Sequence, residues 1–200
     1  MAALAELDHG RAVNDGAALT QGLINGQRLD VAFESRESVS VDECLDMVRQ
    51  KTALFFETAG ALGARLGRGS AELADSMRLV GRNVGMAYQM CDDIAGLIGD
   101  VAVTGKARGQ DLRRAKKSLP VTLAMDAAPG ALGDELSAAL ATSDHPAVRA
   151  AARMCRRHVE SALRSIGTGS GVGVGDLQAL IEAIFEPVLA HLGPDVVSVH

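Results

Sequence analysis

The stretch VGMAYQMCDDIAGLI, Val84 to Ile98, decides the fold. It is apolar almost throughout, interrupted only by Tyr88, Gln89 and the adjacent acids Asp92 and Asp93. Burying two ionised carboxylates costs roughly several kcal/mol each unless a cation compensates them. Two readings stand side by side. The pair frays out to solvent at a helix end, or it meets a divalent cation, for which hard oxygen ligands suit Mg²⁺.

Working outward, Leu73, Met77, Val80, Val84, Ala87, Cys91, Ile94 and Ile98 recur at steps of four and three. That spacing predicts one continuous helix over Ala71 to Ile98. Gly85, Gln89, Asp92 and Gly96 follow the same steps on a nearly opposite face. Small residues beside polar ones suit a cavity with something bound in it, or close helix packing.

Upstream, Ser40-Val-Asp-Glu43 is a capping box, and the helix it starts runs to about Leu66. Lys51 lies at the margin of that helix's apolar stripe, either snorkelling to solvent or meeting an anion in a cavity. Ala2 to Asn25 is Ala-rich and read as helical. In GLINGQRLD, Gly22 to Asp30, Gln27 and Asp30 share a helical face, read as a polar helix end. Phe33 to Val39 reads as a loop.

Downstream, GDVAVTGKARGQDLRRAKKSLP carries Gly99, Gly105 and Gly109 among Lys106, Arg108, Arg113, Arg114, Lys116 and Lys117. A basic glycine-containing loop beside two carboxylates suits a metal-bound phosphate or diphosphate. A solvated loop that answers its own acids is the competing reading. Helices are expected from Pro120 to Ala127 or Ala128, Pro129 to Leu140, Pro146 to Ile166 and Asp176 to His191. The face of Arg149, Arg153, Arg156, Arg157 and Glu160 reads as solvated. GTGSGVGVG, Gly167 to Gly175, lacks the dinucleotide-binding spacing and reads as a connector.

Composition narrows the class. Two hundred residues suit a single all-α domain over 1–200; with 48% hydrophobic residues but 2% aromatics, the core is aliphatic and helix-prone. A net charge of −5 without a basic block gives no reason to expect nucleic-acid binding. No apolar run reaches the roughly 18 residues of a membrane span, and no signal-peptide pattern opens the chain. Cys44, Cys91 and Cys155 read as buried thiols of a cytoplasmic protein.

YQMCDDIAGLIGDVAVTGKARGQDLRRAKKSLPV resembles the second aspartate-rich region of the trans-isoprenyl diphosphate synthases, the polyprenyl synthetase family. That pattern is an aromatic-Gln, two residues, DDxxD, Gly-Lys, Gly-x-Asp, Lys and Pro. Tyr88-Gln89, Asp92-Asp93, Gly105-Lys106, Gly109 to Asp111, Lys116 and Pro120 match it in order. GQRLD at Gly26 to Asp30 and Lys51-Thr52 resemble two earlier motifs, so the likeness covers about Gly22 to Leu189.

The resemblance implies an all-α helical bundle of the isoprenoid synthase type, in which Mg²⁺ grips an allylic prenyl diphosphate for condensation with isopentenyl diphosphate. It implies metal contacts for Asp92, Asp93 (directly or through water) and Asp111. It implies diphosphate contacts for Lys51 and Lys106, a lining role for Gln89, and support from Thr52 and Lys116. Gly96 stands where the last Asp of DDxxD belongs. Nothing matches the family's first aspartate-rich motif or its arginine site for isopentenyl diphosphate. The expectation is therefore a C-terminal half only, with a bundle incomplete without N-terminal helices. Such a chain would be inactive in elongation without a complementing N-terminal half and would work as a homodimer or heterodimer. A regulatory subunit that pairs with an active prenyltransferase, and a terpene synthase-like ionising enzyme, are the alternatives.

Overall fold

The computed structural model describes residues 9–98, 112, 114–128, 140, 142–167 and 174–190. Its helices are α1 (His9–Glu34), α2 (Val41–Val48), α3 (Leu54–Leu66), α4 (Ala71–Ile98), α5 (Leu119–Ala127), α6 (Pro146–Gly167) and α7 (Val174–Ala190). A π-helical segment, Arg49–Ala53, joins α2 to α3. The expected helices fall within a few residues of these bounds, except at two places and over Pro129 to Leu140, which lies outside the described residues apart from the buried Leu140.

The first exception is α1, which runs on to Glu34 through the segment read as its polar end. Gly22 and Gly26 are contact points and not helix breakers. A Cβ on Gly26 would sit 2.3 Å from the backbone nitrogen of Lys51. The second exception is the capping-box helix. Ser40 caps it as expected, its hydroxyl accepting from the Glu43 N–H while Glu43 accepts from the Ser40 N–H. The helix does not run uniformly to Leu66, because the π-segment interrupts it at Lys51 and Thr52. An i→i+5 turn accommodates one extra residue and rotates everything after it, so it re-aims side chains locally.

Helix α4 is central. α3 packs along one side of it and α6 along another, while α1 lies over the π-segment and α5 packs against α2 and α6. The α3–α4 crossing is close because Gly81 and Gly85 face Phe56 and Ala53 with no room for a Cβ. Missing N-terminal helices would be expected to leave apolar surface bare along Val84 to Ile98. The structure corrects this: Met86, Ala87, Met90, Cys91, Ile94 and Leu97 are all buried. Among the large hydrophobic and aromatic side chains of that stretch, Tyr88 is the one exposed, at 49%. Its neighbours are covered because α3, α6, α7 and the π-segment surround this part of α4. Among the described residues no helix is long and apolar enough to cross a membrane.

Candidate diphosphate site

The site is built where three backbones meet. Gly26 of α1 lies against the π-segment at Lys51, and a Cβ on Gly85 of α4 would be 2.5 Å from the Cα of Ala53. These approaches set Thr52 beside Gln89 of α4 and Lys51 beside Asp30 of α1. The Lys51 ammonium forms an ion pair with Asp30 of α1, the two side chains being 23% and 12% exposed. Lys51 thus meets a carboxylate at the edge of the bundle instead of snorkelling away from it.

From Thr52 a line of hydrogen bonds crosses α4. The Thr52 hydroxyl donates to Gln89 Oε1 at 2.6 Å. Gln89 Nε2 donates to Asp93 Oδ1 at 3.1 Å. Lys116 Nζ donates to the same oxygen at 2.9 Å, and the Leu119 backbone N–H donates to Asp93 Oδ2 at 3.2 Å. Gln89 and Asp93 are buried, Asp93 to 1% exposure. Asp92, one residue earlier, is only partly buried. The adjacent acids therefore do not fray out together: one is enclosed with protein donors, the other lies nearer the surface.

The segment carrying Lys116 is itself unusual. Ala115 has φ 54°, in the left-handed region that costs a non-glycine residue on the order of 1 kcal/mol. Its N–H donates to the Leu112 carbonyl, and Lys117 Nζ donates to the Ala115 carbonyl. Ser118 then starts α5 with a fully buried hydroxyl that makes no hydrogen bond.

Beside Thr52 and Gln89 runs an aromatic row. The Phe55 and Phe56 rings pack edge-on with centroids 5.7 Å apart, and Phe56 and Tyr88 lie 5.7 Å apart at 40°. Phe55 and Tyr88 are about half exposed. Lys106 and Asp111 lie outside the described residues. Gly96 is buried. Of the three acids expected at a metal, the described residues place Asp92 and Asp93. Among the described residues no three His, Cys, Asp or Glu side chains gather as a metal cluster. A half-buried carboxylate at Asp92 fits a hard dication as a ligand. Asp93, already accepting three hydrogen bonds, fits less well.

Sequence reasoning missed Asp30 as the partner of Lys51. Its signal was the face it shares with Gln27, but the partner sits on another element. The three cysteines are free and buried, as expected. Burial pushes the Cys44 thiol up to about 12, so it stays protonated and unreactive. On α6, Arg153 and Arg157 are exposed while Arg149 and Arg156 are partly buried, so the solvated reading of that face holds only in part. His158 bonds Asn83 of α4 at 2.8 Å, and burial lowers its pKa.

Comparison with known proteins fits this geometry. A family model described as polyprenyl synthetase matches residues 1–159. The chain is 41% identical over 129 residues to the (2E,6E)-farnesyl diphosphate synthase of Mycobacterium tuberculosis, covering 62% of this chain and 36% of that protein. It resembles the structure of a geranylgeranyl pyrophosphate synthase from Corynebacterium glutamicum complexed with isoprenyl diphosphate and magnesium. That likeness has a TM-score of 0.74 at 27% identity and covers 86% of this chain and 54% of the other. A polyprenyl synthetase from Streptomyces coelicolor A3(2) matches with a TM-score of 0.70 at 28% identity, over 94% of this chain and 61% of that one. The chain thus spans about a third of the length of the mycobacterial relative.

These findings correct three linked expectations. The family match begins at Met1 and not near Gly22, and the structural likeness takes in as much as 94% of the chain, N-terminal helix included. The resemblance is not confined to a C-terminal half. The expected bundle lacking N-terminal helices is corrected to an all-α bundle whose likeness takes in nearly the whole of this chain, its own N-terminal helix included. Inactivity in elongation, inferred from a missing N-terminal motif, loses its premise.

Proposed function

We propose, on the premise that this chain belongs to the polyprenyl synthetase family, that it binds the diphosphate of an allylic prenyl diphosphate against the Asp92 face of α4. The reaction served is prenyl transfer in isoprenoid biosynthesis, by head-to-tail condensation with isopentenyl diphosphate. The observation that carries this reading is the line from Thr52 through Gln89 and Asp93 to Lys116. It joins Thr52 of one motif stretch to Gln89, Asp93 and Lys116 of another in one wall.

Roles follow from position and chemistry. Asp92, with Asp111 by resemblance, would hold Mg²⁺. Bound there, Mg²⁺ supplies charge neutralisation for the diphosphate as it leaves. Lys51, held by Asp30, and Lys106, by resemblance, would meet the diphosphate oxygens as point charges. Thr52 fixes the amide of Gln89, so that the wall keeps one arrangement of donors and acceptors. The row of Phe55, Phe56 and Tyr88 offers an apolar flank for the prenyl chain.

The test is a calorimetric titration with farnesyl diphosphate and with farnesol, each with and without Mg²⁺. The reading expects binding that needs both the diphosphate and the ion. Equal affinity for the alcohol and the diphosphate, or no response to Mg²⁺, would overturn it.

A further inference from the structure

We infer that Asp93 is a positioning residue and not a metal ligand: it holds Lys116 and the start of α5 against the Gln89 face. This rests on the diphosphate-binding reading above, and gives the two adjacent acids different tasks.

An ionised carboxylate only accepts, at about four lone-pair positions. Asp93 already accepts from Gln89, Lys116 and the Leu119 N–H, two of these bonds on Oδ1 and one on Oδ2, and is 1% exposed. An ion approaching it would have to displace the ammonium that compensates its buried charge. Asp92 stands nearer the surface.

The start of α5 supplies a second, independent observation. A helix leaves its first N–H groups without intrahelical partners, and the residue before the helix ordinarily supplies a side-chain acceptor. Ser118 occupies that place, yet its hydroxyl is buried and unbonded, and makes no cap. Pro120 has no N–H to offer. Asp93 does the capping from α4, through Leu119, and its negative charge suits the positive end of the α5 backbone. Lys116 is then tied from both directions: a left-handed turn at Ala115 sets its backbone, and Asp93 fixes its ammonium.

The experiment measures binding of inorganic diphosphate in Mg²⁺ by calorimetry, together with the melting temperature without ligand. The proteins are wild type, Asp93→Asn, Lys116→Met and the double variant. Because Asp93 acts through Lys116, each single variant should weaken diphosphate binding about tenfold and the double variant no further. Asp93→Asn should also melt lower than wild type in the absence of any metal. If Asp93→Asn does not fold, Asp93→Glu, which keeps the charge but displaces it by one methylene, is scored on both readouts. Additive losses in the double variant, or a wild-type melting temperature together with lost Mg²⁺ dependence, would overturn the positioning role. A wild type that binds no diphosphate in Mg²⁺ would overturn the site reading itself and this inference with it.

Discussion

Two regions flank the acidic face of α4, and they are held by different forces. On the Lys51 side, geometry comes from backbone packing. Glycines of α1 and α4 let three backbone segments approach within Cβ-excluding distance, and the π-segment carries Lys51, paired with Asp30, and Thr52, bonded to Gln89. On the Lys116 side, geometry comes from charge. One buried carboxylate collects an ammonium, an amide and a helix N-terminus. Packing of the first kind tolerates changes of pH and salt but not of volume. A buried charge network tolerates small changes of shape but fails when one partner is removed.

The largest expected effect tests the packed side. Gly26→Leu places a side chain where even a Cβ meets the Lys51 backbone at 2.3 Å, so α1 must lift away from the π-segment. The expected loss is about 3 kcal/mol or more. At roughly 2–4 °C per kcal/mol for a chain of this size, thermal melting would read that loss directly. A melting temperature like that of wild type would mean that the close approach does not set the site.

Next comes the link between the two sides. Gln89→Leu removes the acceptor of Thr52 and a donor to Asp93 in one change. Leaving such buried groups unsatisfied costs about 1–3 kcal/mol. Thr52→Val removes only the first bond, and about 1 kcal/mol is expected. Urea titrations of both variants would rank them. Equal losses would indicate that the Gln89–Asp93 bond contributes nothing.

The smallest effect lies away from the site, at the capping box. Ser40→Ala should cost about 1 kcal/mol of stability and leave diphosphate binding unchanged. The same corner carries a pH signature. Hydrogen bonds first from Arg36 and then from the Ser40 backbone hold the Glu43 carboxyl down at about 2, below its ordinary 4.5. A carboxylate depressed in the folded state stabilises it above its unfolded value, and the contribution fades as pH falls from 4.5 toward 2. Glu43→Gln should flatten that part of the stability profile. An unchanged slope would deny the Arg36–Glu43 pair its role.

How much was legible beforehand differs between the same two regions. The span of α4 could be read to its ends, because an apolar stripe of eight residues keeps helical phase from Leu73 to Ile98. The capping box was legible because its partners are three residues apart. The Lys51 side was not. Periodicity reports the faces of one helix, while the Asp30–Lys51 pair spans two elements, and the π-segment shifts phase after one added residue. Gly26 lay in the stretch read as a polar helix end, although its task is to admit the backbone of Lys51. The two acids were found together, but only burial separated them.

The account turns on Asp92. Calorimetry of wild type and Asp92→Ala with farnesyl diphosphate, with and without Mg²⁺, tests it most directly. The account predicts that wild type gains affinity on adding Mg²⁺, and that Asp92→Ala loses most of that gain while melting like wild type without ligand. An Mg²⁺-dependent affinity equal in the two proteins would contradict it.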